Sequence, residues 1–145
     1  MQIRLAETAG FCFGVERAVA LAEQTARTCK NAVTLGPIIH NRHVVERFER
    51  LGLHEISSAE EAEPGQTVVI RAHGIPVSEQ RMLSARGAAA VDATCPFVKK
   101  IHVIAQKAER DGRSLLIIGT PTHPEVAAIA SYSSDAYVFQ TAEAL

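Results

Sequence analysis

Short apolar runs rich in β-branched residues alternate along the chain with longer segments in which apolar positions recur every three to four residues. The runs at 3–6, 33–36, 67–71, 89–92, 115–119 and 136–139 predict strands, and the periodic segments at 15–28, 42–51, 77–86, 97–110 and 125–131 predict helices. This alternation is the mark of βαβ units, so the expected fold class is α/β with a parallel sheet. The segments AEPGQ at 62–66 and ERDGRS at 109–114 carry Pro-Gly and Asp-Gly and predict turns. The final TAEAL reads as the first turn of a helix capped by Thr141, so the chain reads as cut at a helix start.

Composition adds mainly exclusions. The 145 residues are 47% hydrophobic and 21% charged, enough apolar material for one core. A net charge of -1 with interspersed signs offers no basic patch for nucleic acid or an anionic membrane. No leader pattern opens the chain and no apolar run spans a bilayer, so the expected setting is cytoplasmic. Three cysteines do not pair into a secreted disulfide framework; reduced thiols serving as ligands, nucleophile or core filler fit better.

The unusual residues fall on the carboxyl ends of the expected strands. His40 follows the strand in VTLGPIIHN, His73 the one in TVVIRAHG, Cys95 the one in AAVDATCP, and His123 and Glu125 the one in LLIIGTPTHPE. That edge of an open α/β sheet is where loops and helix starts converge on ligands. Cys12, in AGFCFGVERAV, joins the same edge if the first strand is parallel to the others. Pro96 and Pro124 suit first helical positions, which puts Cys95 and His123 at caps where the helix dipole favours negative charge. A thiol there ionises more readily, and a thiolate binds metal or attacks carbon.

Plain structural roles compete with these. Cys29, at a helix end in ARTCKN, reads as a core residue, His54 and His102 as structural or surface residues, and His43 as ambiguous. Glu125 alone would be a first-turn acid. Its place two residues after His123 adds the prospect of acid/base work. No Gly-rich phosphate loop or Rossmann fingerprint is present.

Five ordered motifs, GFCFGVERAV, GPIIHNRHVVE, RAHGIP, VDATCPFV and HPEV, resemble the N-terminal half of the 4-hydroxy-3-methylbut-2-enyl diphosphate reductase family, also called IspH/LytB. The resemblance implies the first one and a half domains of a three-domain trefoil around a central iron-sulfur (4Fe-4S) cluster. It implies Cys12 and Cys95 as two metal ligands, with the third cysteine and a diphosphate-gripping Ser/Asn motif absent from this chain. His40, His73 and His123 then correspond to substrate-binding residues, and His123 with Glu125 to the catalytic proton-delivery pair. The implied reaction is reductive dehydroxylation of a small diphosphate, the last step of the non-mevalonate isoprenoid pathway, giving isopentenyl and dimethylallyl diphosphates. Ferredoxin or flavodoxin is the implied electron donor, with no nucleic acid or membrane partner.

On this reading residues 1–95 form a first α/β domain, whose N-terminal strand is a candidate for packing with the third domain. Residues 96–145 begin a second, truncated domain, and the fragment alone is expected to be inactive. The competing readings are a mononuclear zinc hydrolase, a cysteine-nucleophile enzyme and a non-catalytic ligand-binding module.

Overall fold

The structure is a computed structural model that describes residues 2–144. Met1, ahead of QIRLA, and Leu145, the last residue of TAEAL, lie outside the described residues. In chain order the elements are α1 (Phe13–Thr28), β1 (Ala32–Leu35), α2 (Arg42–Arg50), β2 (His54–Ile56), β3 (Thr67–Ile70), α3 (Val77–Ala85), β4 (Ala89–Asp92), α4 (Pro96–Arg110), β5 (Leu115–Ile118), α5 (Pro124–Ala130) and β6 (Ala136–Phe139). Short 3-10 turns stand at Ala59–Glu61 and, within TAEAL, at Ala142–Ala144.

The strands form two sheets, both parallel, in agreement with the expected α/β class. The four-stranded sheet has the order β2-β1-β3-β4, and β5 pairs with β6 in a second sheet. From β1 the chain steps outward to β2, then crosses back to lay β3 on the other side of β1. The connections leaving β1 and β3 therefore diverge and open a crevice at their carboxyl ends.

Alternation along the strands sorts the core into two layers. Ala32 and Val69 join Ala18, Ala22, Val44 and Phe48 on the α1 and α2 side, while Val33, Leu35, Val68 and Ile70 join Ile75 and Leu83 on the α3 side. With both faces covered, β1 is buried at every position. On α1 the buried positions are Gly14, Ala18, Ala22 and Thr25, a row of small residues that lets the helix lie close to its neighbours. Each large side chain fully buried in these layers contributes about 1.5–3 kcal/mol.

The second sheet is covered on one face only. Leu115 and Ile117 are half-buried, whereas Leu116, Ile118 and Tyr137 are exposed. Helix α4 buries Val98, His102 and Ala105 and leaves Phe97, Ile101, Val103 and Ile104 exposed.

Two sequence expectations change. Residues 3–6 form no strand: Ile3 and Leu5 are 77% and 86% exposed, and no described strand pairs with them. An extended segment becomes a strand only when its backbone groups find a ladder partner, which hydropathy alone does not supply. The edge strand β2 was not expected, because three residues, two of them exposed and charged or polar, carry too little apolar signal.

Candidate active site and thiol pair

Cys12 does not follow a strand as expected, since no described strand precedes it. It is the N-cap of the 16-residue α1, as Cys95 is of the 15-residue α4. Neither side chain makes a capping hydrogen bond, so both sulfurs are free to engage another group. All three cysteines are unpaired, Cys12 exposed and Cys95 half-buried. The two helix starts meet at Gly14: a Cβ there would overlap Cys95 Sγ, so glycine is what lets the thiol seat against α1. Cys29 caps the far end of α1, which at 1.5 Å per residue lies about 25 Å from Cys12. It packs against the core layer beneath α1 and takes no part in this arrangement.

The loops past the strand ends are joined to one another by backbone hydrogen bonds. Ala72 N–H donates to Ile38 O at 3.1 Å, and Cys95 N–H donates to Ala72 O at 2.9 Å. This ladder carries the β1, β3 and β4 connections side by side and places Cys95 next to the residue preceding His73. His40 and His73, from the two loops flanking the crevice, have ring centroids 4.9 Å apart. His123, the N-cap of α5, meets His73 edge-on at 5.6 Å. The three imidazoles, far apart in sequence, thus form one group, with His40 and His123 exposed and His73 half-buried.

Burial pushes the His73 pKa down to about 4, and the neighbouring His40, His123 and Arg71 push it in the same direction. His73 is therefore neutral at neutral pH, and its Nδ1 is buried without a hydrogen-bond partner among the described residues. His123 Nδ1 accepts the Glu125 N–H at 3.2 Å, which leaves Nε2 as the nitrogen that carries the proton of the neutral ring. Glu125, in the first turn of α5, is half-buried. His43 is exposed on α2 and His54 exposed on β2, and neither is among the paired imidazoles.

No three His, Cys, Asp or Glu side chains among the described residues stand close enough together to hold a single metal ion. A cleft of about 420 Å³ lies between α3 and α4, lined by Gln80, Leu83, Asp92, Lys99, His102 and Tyr132 among others. None of the six candidate residues lines it.

The family model for the LytB protein matches residues 3–145. The chain belongs to the LytB family. It is 42% identical over 134 residues to the 4-hydroxy-3-methylbut-2-enyl diphosphate reductase of Citrifermentans bemidjiense, covering 92% of this chain and 47% of that protein. The reductase of Aquifex aeolicus is 44% identical over 133 residues, covering 91% of this chain and 46% of its own length. A solved structure of (E)-4-hydroxy-3-methyl-but-2-enyl diphosphate reductase, described as the terminal enzyme of the non-mevalonate pathway, superposes with a TM-score of 0.82 at 41% identity over 97% of this chain and 52% of that one. The Plasmodium falciparum reductase superposes with a TM-score of 0.88 at 26% identity, over 94% of this chain and 44% of its own. The chain thus spans about half the length of the relatives it matches.

Sequence reasoning missed the supports around these LytB-family motifs. Asp92 Oδ1 accepts the Thr94 N–H at 2.9 Å and Asp92 Oδ2 meets Lys99 Nζ at 2.6 Å, folding the turn that carries Cys95. Burial raises the Asp92 pKa, but hydrogen bonds from Lys99 and Thr94 outweigh it and hold the carboxyl below its usual range. His102, expected to be a structural or surface residue, is 6% exposed and stacks on Tyr132 at 4.5 Å. Its ring fills the space beside Gly74, whose φ of +76° and missing Cβ both belong to the turn that presents His73. The Asp-x-Thr spacing in VDAT was a readable turn signal for Asp92; the contact between His102 and Gly74 had none.

Proposed function

We propose that this chain forms the N-terminal part of a 4-hydroxy-3-methylbut-2-enyl diphosphate reductase, which removes the allylic hydroxyl of its substrate as water using two electrons and protons. The observation that carries the reading is the gathering of His40, His73 and His123 beside the turn of Cys95, from four separate connections that leave the carboxyl ends of strands in two sheets. The motif resemblance and the reductases named above support it.

Cys12 and Cys95 fit an iron-sulfur cluster as two of its ligands. They are soft thiols, free of capping bonds, at the positive ends of two long helices, with room made by Gly14. The third thiolate implied by the family would come from the length of the relatives that these residues do not span. Bound by three thiolates, such a cluster supplies electrons and an open iron with Lewis-acid character.

The chain's own residues supply binding and protons. His40, His73 and His123 offer N–H donors to the diphosphate oxygens, and a bound anion would favour protonation of His73, which burial otherwise keeps neutral. Glu125, adjoining His123, is the general acid that supplies the proton to the departing hydroxyl. The division into a unit of residues 1–95 and the start of a second at 96–145 belongs to this proposal, as do a cytoplasmic setting and a ferredoxin or flavodoxin donor.

The test is anaerobic reconstitution with iron and sulfide, then iron counting and turnover with a reduced dye, in a chain carrying these residues together with the remaining family length. Cys12→Ser and Cys95→Ser should lose both iron and turnover, whereas Cys29→Ser should keep both. A full iron complement in Cys95→Ser would refute the assignment. The 145 residues alone, with two of three thiolates, should show no turnover.

A further inference from the structure

Arg17 lies one helical turn after Gly14, on the same face of α1. Its guanidinium reaches across to the turn between β4 and α4, where Nη1 donates to Thr94 O at 3.3 Å and Nη2 to Asp92 O at 3.5 Å. These two carbonyls immediately precede Cys95 or lie three residues before it. They belong to the turn that Asp92 also shapes from within, through its own carboxylate bonds to Thr94 and Lys99. Helix α1 thus meets this turn at two points, through the planar fork of Arg17 and through the bare backbone of Gly14 against Cys95 Sγ.

The second point alone cannot set the position of the thiol. A glycine contact limits approach but does not prevent the turn from moving away, whereas two hydrogen bonds from one rigid guanidinium fix both distance and orientation. Cys12 is the cap of the helix that carries Arg17, so whatever fixes the Cys95 turn to Arg17 also fixes Cys95 relative to Cys12. We infer that Arg17 is a positioning residue that sets the mutual placement of the Cys12 and Cys95 thiols before any group binds them. The inference rests on the reading above that these two thiols serve one site.

The test uses the metal-free chain in a Cys29→Ser background, where Cys12 and Cys95 are the two remaining thiols. Dibromobimane becomes strongly fluorescent when both of its arms are alkylated, so its fluorescence reports bridging, while iodoacetamide reports the reactivity of each thiol alone. Arg17→Gln removes the charge, and Arg17→Lys keeps the charge but loses the fork. Both should slow bridging about tenfold, the effect of losing a fixed near-attack geometry, while single alkylation and helical circular dichroism stay at parental values. A role in the fold alone would not split bridging from single alkylation in this way. Bridging at the parental rate in both variants would overturn the inference, as would loss of folded structure in both. A parental rate restored in Arg17→Lys would overturn the two-carbonyl grip. A parent chain that does not bridge at all would overturn the shared thiol site itself, and this inference with it.

Discussion

The connections after β1, β3 and β4 and the connection after β5 all leave the carboxyl ends of parallel strands, but they are held differently. In the four-stranded sheet the three loops bond to one another through Ile38, Ala72 and Cys95, and helices cover both faces beneath them. In the two-stranded sheet the last ladder-like bond runs from Gly119 N–H to Phe139 O, and beyond it the loop is exposed up to His123. His123 is placed by its own helix cap and by contact with His73. The difference shows that two regions built from the same strand-loop-helix grammar can anchor site residues in different ways. One locks them through neighbouring loops, the other through a single helix start.

The contrast is largest in the cores. Phe48→Ala, in the layer under α2, should cost about 3–5 kcal/mol, while Ile118→Ala on the exposed face of β5 should stay within about 0.5 kcal/mol. Urea midpoints of the two variants measure this, and comparable losses would erase the distinction between the sheets.

A matched pair of glycines probes the loops. Gly74→Ala meets both an unfavourable φ and the ring of His102, and should cost about 2–3 kcal/mol. Gly119→Ala meets Val126 Cγ2 at 3.0 Å without a left-handed φ, and should cost at most about 1 kcal/mol. Equal costs would mean that the loop after β3 is no more constrained than the loop after β5.

The half-buried His73 adds a pH dependence. The folded pKa of His73 lies near 4, below the ordinary 6.5, so as pH falls the unfolded chain takes up this proton first. Its contribution to stability is fully present above pH 6.5 and declines as pH falls toward 4. An imidazole titration by NMR with a midpoint near 4 is the expected result, and a midpoint near 6.5 would show that the loop is open to water.

The smallest expected change is at a cap. Asn41 accepts the Val44 N–H at 3.3 Å at the start of α2, and Asn41→Ala should cost about 1 kcal/mol. Hydrogen exchange should place the loss in the first turn of α2 and leave α5 untouched; spreading into α5 would show that the two regions are coupled.

Much of the fold was legible because local pattern and tertiary demand agree. Strands β1 and β3 carry the β-branched runs that a doubly covered sheet needs, and the helices carry their periodic apolar faces. Cys95 and His123 were placed at helix caps from Pro96 and Pro124 alone, and they stand there. The miss at residues 3–6 has the opposite cause, since IRLA has the composition of a strand but no described strand to pair with. Cys12 illustrates the same point, standing at the start of α1 with no described strand before it.

From sequence alone came the element order, the parallel class, the family resemblance, and the positions of His40, His73, Cys95 and His123 after strands. These depend on periods of a few residues, on capping chemistry and on motifs that are local in the chain. Only the tertiary structure decided the strand order that opens the crevice between β1 and β3, the contact of His73 with both His40 and His123, and the seating of Cys95 against Gly14. It also revealed Arg17, Asp92 and His102 as the groups around the Cys95 and His73 turns. Such contacts join residues tens of positions apart, and their existence depends on close packing and hydrogen bonding between elements, which no short-range pattern encodes.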